Sequence, residues 1–160
     1  MAGAWGTDLV VNVSFMDTEH DELIGLLLTL EEAAATDQPR RTSRQLLNRF
    51  RAEVEAHFAH EEDLMSAEAY PMRKAHTAQH ALFLQELATL YEDPALPETP
   101  RRLVEFFQTW FARHVQDSDG PLARWLLEKG LAARSSAAPP LPRPRPVLPT
   151  GSPSAPPRPE

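Results

Sequence analysis

The sequence has no cysteine, which excludes several kinds of chemistry at once. Without thiols there is no disulfide, thiolate zinc site, iron–sulfur cluster or cysteine nucleophile. No uninterrupted apolar run approaches the roughly 20 residues that a membrane-spanning helix needs. The first twenty residues lack a basic start followed by an apolar run, so we expect no secretory signal. These absences predict a soluble, cytoplasmic protein.

Basic side chains are in the minority. The chain carries 16 lysines and arginines against 23 aspartates and glutamates, a formal net charge of −7. A nucleic-acid surface is marked by the opposite balance. We therefore expect neither a nucleic acid nor a membrane as partner, and we expect a monomer.

Proline divides the chain into two parts. Ten of its 16 prolines lie between Pro139 and Pro159, in a segment with few large apolar residues. Such a segment cannot bury enough surface to offset the entropy of ordering. We interpret residues 135–160 as a disordered proline-rich tail and residues 1–134 as one domain. A solvated tail is favoured over a docking motif for a protein partner, which stays an alternative.

Apolar residues in residues 1–134 recur with helical period, and no strand alternation persists. Caps are expected at Thr18, with Asp21 three residues later, and at Thr42 and Thr99. We predict helices near residues 17–35, 42–65, 71–91 and 100–116, and a short one from 121 to 130. The fold class is therefore all-α: an up-down-up-down four-helix bundle with an N-terminal arm, a short C-terminal helix and the tail.

Seven metal-ligand side chains are predicted to face the interior of this bundle. His57 and Glu61 are four residues apart, and so are His76 and His80, so each pair shares one helix face. One histidine lies early on the first helix and another late on the fourth, followed by an aspartate. The candidate set is His20, His57, Glu61, His76, His80, His114 and Asp119.

The composition of this set favours a dinuclear metal site. A lone core histidine is more often hydrogen-bonded packing than a ligand, and a single His-x-x-x-Glu pair is common on exposed helices. Seven such groups together would be costly to bury without a counterpart. Imidazole with carboxylate suits iron, zinc or manganese. Five nitrogens and two carboxylates exceed the four ligands of a closed zinc site, although zinc in place of iron stays an alternative.

The spacing of His114 and Asp119 does not fit a regular helix. Five residues advance about 500°, which leaves the two side chains about 140° apart. Both can face one site only if the helix loosens or ends between them. We therefore predict non-ideal backbone at 115–119, through a π-bulge or a helix end at Gly120–Pro121. His60 and Glu62 are expected on the surface.

The order of these residues resembles the hemerythrin family, particularly its single-domain bacterial members. The matching stretches are Asp17-Thr18-Glu19-His20, His57 to Met65, His76 to His80, and Trp110 to His114 with Asp119. The resemblance covers roughly residues 5–130 and includes every ligand position of the family pattern.

The resemblance implies a di-iron centre that cycles between ferrous and ferric states. His76, His80 and His114 would hold one iron, and His20 and His57 the other. Glu61 and Asp119 would bridge the irons together with an oxo or hydroxo group. The two-histidine iron would keep an open position for dioxygen, which implies reversible oxygen binding for storage, transport or delivery.

Two other function classes stay open. One is an oxygen or redox sensor or interaction module, although no signalling domain accompanies the bundle. The other is a di-iron peroxidase or nitric oxide scavenger, although di-iron oxidases of the ferritin type use Glu-x-x-His pairs and more carboxylates. Phe58, Phe111, Leu23, Val115 and Trp110 are expected to line a dry pocket, which favours an oxygen carrier over an enzyme.

Overall fold

The computed structural model describes residues 9–36, 40–92 and 101–132, and this part of the chain is helical. Helix α1 spans Ser14–Ala35, α2 spans Arg40–Ala67, α3 spans Arg73–Glu92 and α4 spans Arg101–His114. A π-helix, Val115–Asp119, leads directly from α4 into α5, which spans Gly120–Glu128.

The four long helices form a closed ring. Helix α1 packs along α2 and α4, and α3 packs along the same two helices from the other side. Helices joined by short connections run antiparallel, so this arrangement is the predicted up-down-up-down bundle. Within the described residues, no helix has both the length and the hydropathy required to cross a bilayer.

Apolar side chains from all four long helices meet at the bundle axis. Phe50 and Phe107 pack edge to face with ring centroids 5.1 Å apart, a favourable geometry for aromatic pairs. Phe83 joins Phe107 from α3 at 5.8 Å. The largest fully buried side chains are Phe50, Phe83, Phe107, Phe111, Met16, Leu23, Leu27, Leu30, Met65, Leu87, Leu103 and Leu122.

The predicted start of the first helix was wrong. Helix α1 begins at Ser14, and the Thr18 hydroxyl donates to the Ser14 carbonyl at 2.8 Å instead of capping the helix. The Asp17 carboxylate accepts the backbone N–H of Val11 at 2.8 Å and so holds the approaching chain. The Thr18-x-x-Asp21 pattern resembled a cap, but the burial of Phe15 and Met16 draws one more turn into the helix.

The other helix ends lie close to their predicted positions. Helix α2 begins two residues before Thr42, and α3 begins at Arg73, two residues after the expected Pro71. The expected cap at Thr99 and the proline-rich tail lie outside the described residues. So does Trp5 of the predicted arm, although Val11 and Val13 of that arm are buried in the core.

Two helices end in the same kind of turn. The Tyr70 N–H donates to the Met65 carbonyl at 2.9 Å after α2, and the Leu131 N–H donates to the Leu126 carbonyl at 2.8 Å after α5. This hydrogen bond, from an N–H to the carbonyl five residues back, closes a Schellman motif, which needs one residue with positive φ. Gly130 fills that place with φ 67°, and Ala69 fills it with φ 54°.

Candidate metal centre

The structure brings all seven predicted site residues together in the bundle interior. Helix α1 supplies His20, α2 supplies His57 and Glu61, and α3 supplies His76 and His80. His114 is the last residue of α4, and Asp119 is the last residue of the π-helix. None of the seven is more than 3% exposed.

The π-helix is what allows His114 and Asp119 to face the same point. Its wider turn places residues five apart on one face, where an α-helix would separate them. The Gly120 N–H donates to the Val115 carbonyl, five residues back, which is the hydrogen bond that defines this turn. The prediction of irregular backbone between His114 and Asp119 is confirmed, and of the two routes considered it is the π-bulge.

The seven side chains form two overlapping groups. Within each group, one ligand atom per residue can be chosen so that these atoms all lie within 4.8 Å of one another. Glu61 and Asp119 belong to both groups. The first group adds His76, His80 and His114, and the second adds His20 and His57.

Each shared carboxylate points one oxygen towards each group. Glu61 Oε2 lies 3.2 Å from His80 Nε2, whereas Oε1 lies 3.9 Å from His57 Nε2. Asp119 Oδ1 lies 3.0 Å from His114 Nε2, whereas Oδ2 lies 3.4 Å from His20 Nε2. Two carboxylates divided in this way suit a pair of neighbouring cations better than one.

The outward nitrogens of three histidines fix which nitrogen carries the proton. His57 Nδ1 lies 2.8 Å from Glu19 Oε2, and His80 Nδ1 lies 2.9 Å from Glu62 Oε1. An ionised carboxylate can only accept, so both Nδ1 atoms donate. His114 Nδ1 donates in the same way to Gln79 Oε1 at 3.1 Å. In each neutral ring, Nε2 therefore presents a lone pair to the centre of the site.

The Nε2 atoms of the three-histidine group lie at distances from one another that a bound cation would explain. His114 Nε2 lies 3.2 Å from both His76 Nε2 and His80 Nε2. Two nitrogens bound at about 2.1 Å and at right angles to one cation would lie about 3.0 Å apart. Without a cation, the lone pairs of His80 and His114 would repel each other. The donor set therefore fits a bound metal.

The carboxylate oxygens lead to the same interpretation. Within the described part of the chain, neither oxygen of Glu61 or Asp119 has a well-directed hydrogen bond, although all four atoms are buried. Burying a charge without partners is strongly unfavourable. Metal cations would supply the missing partners.

The electrostatics of the metal-free site keep its carboxylates ionised. Burial and Asp119 oppose ionisation of Glu61, but the surrounding histidines prevail and hold the pKa of its carboxyl below its usual range. Burial likewise opposes ionisation of Asp119, and the neighbouring imidazoles of His114 and His20 lower the pKa of its carboxyl. Burial disfavours a charged His76, yet Asp119 and Glu61 raise its pKa to about 9.

Comparison with known proteins agrees with this geometry. The family model described as Hemerythrin HHE cation binding domain matches residues 11–126. The chain belongs to the hemerythrin family. A bacteriohemerythrin from Ralstonia nicotianae is 29% identical over 136 residues, covering 84% of this chain and 96% of that relative. One from Aquifex aeolicus is 31% identical over 119 residues, covering 70% and 88%, and one from Stenotrophomonas maltophilia is 26% identical over 116, covering 72% and 75%.

Membership of the hemerythrin family implies a binuclear iron site, and the buried cluster of histidine, glutamate and aspartate is where this chain can hold it. Both groups combine imidazole with carboxylate, a donor set that suits iron. The two groups are unequal, because one offers three histidines and the other two.

Sequence reasoning missed four residues that support the ligand set of this hemerythrin-family site. Glu19, Glu62 and Gln79 each accept a hydrogen bond from the outward nitrogen of a site histidine, and Ser118 donates to Gln79 Oε1 at 3.0 Å. Such partners orient metal-bound imidazoles. A detectable signal existed for Glu19 and Glu62, since each carboxylate directly follows or precedes a candidate ligand.

The expectation that His60 and Glu62 are surface residues needs correction. The His60 side chain is 19% exposed, because its ring packs against Phe15 at 4.5 Å and its Nδ1 contacts Glu19. Glu62 is 38% exposed, but its Oε1 holds His80. Both residues lie at the border of the site: Glu62 contacts the ligand His80 directly, and His60 is connected to the ligand His57 through Glu19.

Aromatic rings line the site as expected. Phe58 stacks on His80 with centroids 3.9 Å apart, and Trp110 stacks on His114 at 4.3 Å. Phe111 meets His20 edge-on at 4.9 Å. Leu23 and Val115 are buried nearby in the core. Apolar side chains thus pack against ligands of both histidine groups.

Proposed function

We propose that the protein holds two iron ions in this cluster. His76, His80 and His114 would hold one ion, His20 and His57 the other, and Glu61 and Asp119 would bridge them. The observation that carries the proposal is the division of both carboxylates, each with one oxygen towards each histidine group. A single cation would leave two of these buried oxygens without a partner.

The function that this arrangement supports best is reversible dioxygen binding. The three-histidine group offers five protein ligands and the two-histidine group four, so the second ion has one more position for an external molecule. Two ferrous ions, when bound, would supply the two electrons that dioxygen binding requires. A solvent-derived oxo or hydroxo bridge is part of this proposal.

The side chains around the two-histidine group support carriage over catalysis. The Phe111 ring packs perpendicular to the His20 ring, and Leu23 lies buried one turn further along α1. These apolar groups limit the access of water and protons to a small bound molecule. We infer a non-enzymatic carrier that stores, transports or delivers oxygen. The curated relatives are named bacteriohemerythrin, and the similarity of about 30% supports the same role here.

Spectroscopy of the iron-loaded protein tests this function. Ferrous protein prepared without oxygen should develop a visible absorption band on exposure to air, and the band should disappear when oxygen is removed. A colourless protein with one zinc per chain would contradict the proposal. Rapid irreversible oxidation with turnover of peroxide would establish the enzyme alternative instead.

The ligand assignment is tested by metal content. His76→Ala should lower bound iron below two per chain, because it removes one ligand of the three-histidine group. Glu105→Gln, at an exposed position on α4, is the matched control and should keep two. Unchanged iron content in His76→Ala would refute the assignment. Cytoplasmic location, the monomeric state and the role of the tail stay predictions.

A further inference from the structure

Glu19 joins a site histidine to a histidine outside the ligand set. Its Oε2 accepts from His57 Nδ1 at 2.8 Å, and its Oε1 accepts from His60 Nδ1 at 2.7 Å. The chain of contacts runs from His57, which is 2% exposed, to Glu19 and His60, which are 22% and 19% exposed. It connects α1 with two successive turns of α2.

An ionised carboxylate can accept from both histidines at once. Each of its oxygens accepts one N–H, and both histidines are donors at Nδ1. An amide at this position has one acceptor oxygen, so it can accept from one of the two histidines only and requires the other to change its tautomer. His60 is itself held by Phe15, whose ring lies 4.5 Å from its own.

The two histidine groups are supported unequally from outside. In the three-histidine group, His80 has Glu62 and the stacked Phe58, and His114 has Gln79 and the stacked Trp110. In the two-histidine group, only His57 has a partner, Glu19, since His20 Nδ1, like His76 Nδ1 of the other group, has no hydrogen-bond partner within the described residues. The orientation of the two-histidine group therefore depends more heavily on one contact.

We propose that His60, acting through Glu19, is a positioning residue for the cation of the two-histidine group. His60 holds one oxygen of Glu19, which fixes the other oxygen against His57 and aims His57 Nε2 into the site. This inference rests on the proposed two-cation centre. It predicts that substitutions at Glu19 or His60 weaken the binding of one cation and leave the binding of the other unchanged.

The test is a stepwise titration of the metal-free protein with Co²⁺, a coloured ion that accepts nitrogen and oxygen ligands. The wild type should bind two ions, and His20→Ala identifies which step belongs to the two-histidine group. Loss of a supporting partner typically lowers metal affinity about 10- to 100-fold. We expect Glu19→Gln to weaken the His20-dependent step within that range, and His60→Leu to weaken it at least about 3-fold.

A conservative variant separates positioning from packing. The amide nitrogen of asparagine is bonded to Cγ, as His60 Nδ1 is. His60→Asn therefore keeps an N–H donor to Glu19 but loses the ring that packs against Phe15. We expect His60→Asn to restore the affinity of the His20-dependent step to within about 2-fold of wild type. Asp63→Asn, exposed on the same helix, is the control for a change of charge. Thermal unfolding of each metal-free variant monitors packing separately.

Three outcomes would overturn the inference: an unchanged His20-dependent step in His60→Leu, equal weakening of both steps, or failure of His60→Asn to improve on His60→Leu. The function itself fails by a different result. A wild-type protein that binds a single ion would contradict the two-cation centre, whatever the variants show.

Discussion

At the scale of single residues, His76 links metal binding to pH. Burial disfavours its charged form, but Asp119 and Glu61 raise its pKa to about 9 in the metal-free site. His76 therefore carries a proton at neutral pH that a metal ion must displace. The carboxyl groups of Glu61 and Asp119 have lowered pKa values, so they are already ionised and release none.

The expected result is metal affinity that rises with pH up to about 9 and levels off above it. The sign follows because the metal-free state binds more protons than the loaded state. Calorimetry in two buffers of different ionisation enthalpy should detect release of about one proton or more near pH 7.5. Affinity that does not change between pH 6 and 9 would contradict this account.

Ala69 and Gly130 offer a second residue-scale prediction, because they occupy the same place in two equivalent turns. Positive φ costs a residue with a Cβ about 1–2 kcal/mol, and glycine avoids this cost while losing more entropy on folding. Ala69→Gly should raise the free energy of unfolding by roughly 0.5–1 kcal/mol. Gly130→Ala should lower it by a similar amount, although an added Cβ there meets no atom within 4 Å.

Denaturant unfolding of the metal-free protein measures both effects. The two substitutions are reciprocal controls, since each moves the same chemical group into or out of the same backbone conformation. A stabilising Gly130→Ala, or a destabilising Ala69→Gly, would show that backbone strain is not what distinguishes these turns.

Residue spacing predicted the metal ligands but not the residues that hydrogen-bond to them. His57 with Glu61 and His76 with His80 are visible because a helix stacks positions four apart. The contacts of Glu19 with His57 and of Gln79 with His114 join different helices, and their geometry depends on how the helices pack. Glu62 resembled an ordinary surface acid, since solvent exposure and a buried hydrogen bond occur in the same side chain.

At the scale of elements, the irregular helix after His114 was predictable from the angle between two side chains. His114 and Asp119 had to converge, and five residues of α-helix cannot bring them together. The start of α1 was not predictable in this way. A local capping pattern competed there with the burial of Phe15 and Met16, and burial depends on the neighbouring helices.

The π-helix can be read as an α-helix that accommodates one additional residue. Deleting the exposed Gln116 should convert Val115–Asp119 into regular α-helix and leave His114 and Asp119 four apart, still on one face. We expect this deletion variant to keep two metal ions per chain. Deleting three residues, Gln116, Asp117 and Ser118, would leave His114 and Asp119 two apart on opposite faces of the helix and serves as the contrasting control.

Elemental analysis of metal content, with circular dichroism to verify folding, measures this prediction. Loss of both ions from a folded single-deletion variant would show that the site requires the π-turn itself and not only the facing of its two ends.

At the scale of the whole molecule, bound metal should contribute to stability. The site buries seven ionisable side chains at the centre of the bundle, and their favourable partner is present only in the loaded state. A ligand at 1,000 times its dissociation constant stabilises the folded state by about 4 kcal/mol. We expect chelation to lower Tm by roughly 10 °C or more.

Differential scanning calorimetry with and without chelator measures this change. Metal-free protein scanned with the same chelator is the control and should show no further shift. Equal Tm values for the loaded and metal-free protein would mean that the site is as well satisfied by protons as by metal.

The placement of the ligands also has a consequence for cleavage of the chain. Each of the four long helices contributes at least one side chain to the ligand cluster, and the π-helix after α4 contributes Asp119. In the loaded state the helices are therefore connected to one another through the metal ions as well as through the peptide chain. A protease cut in the turn between α2 and α3 should leave the two fragments associated while metal is bound, and chelation should release them.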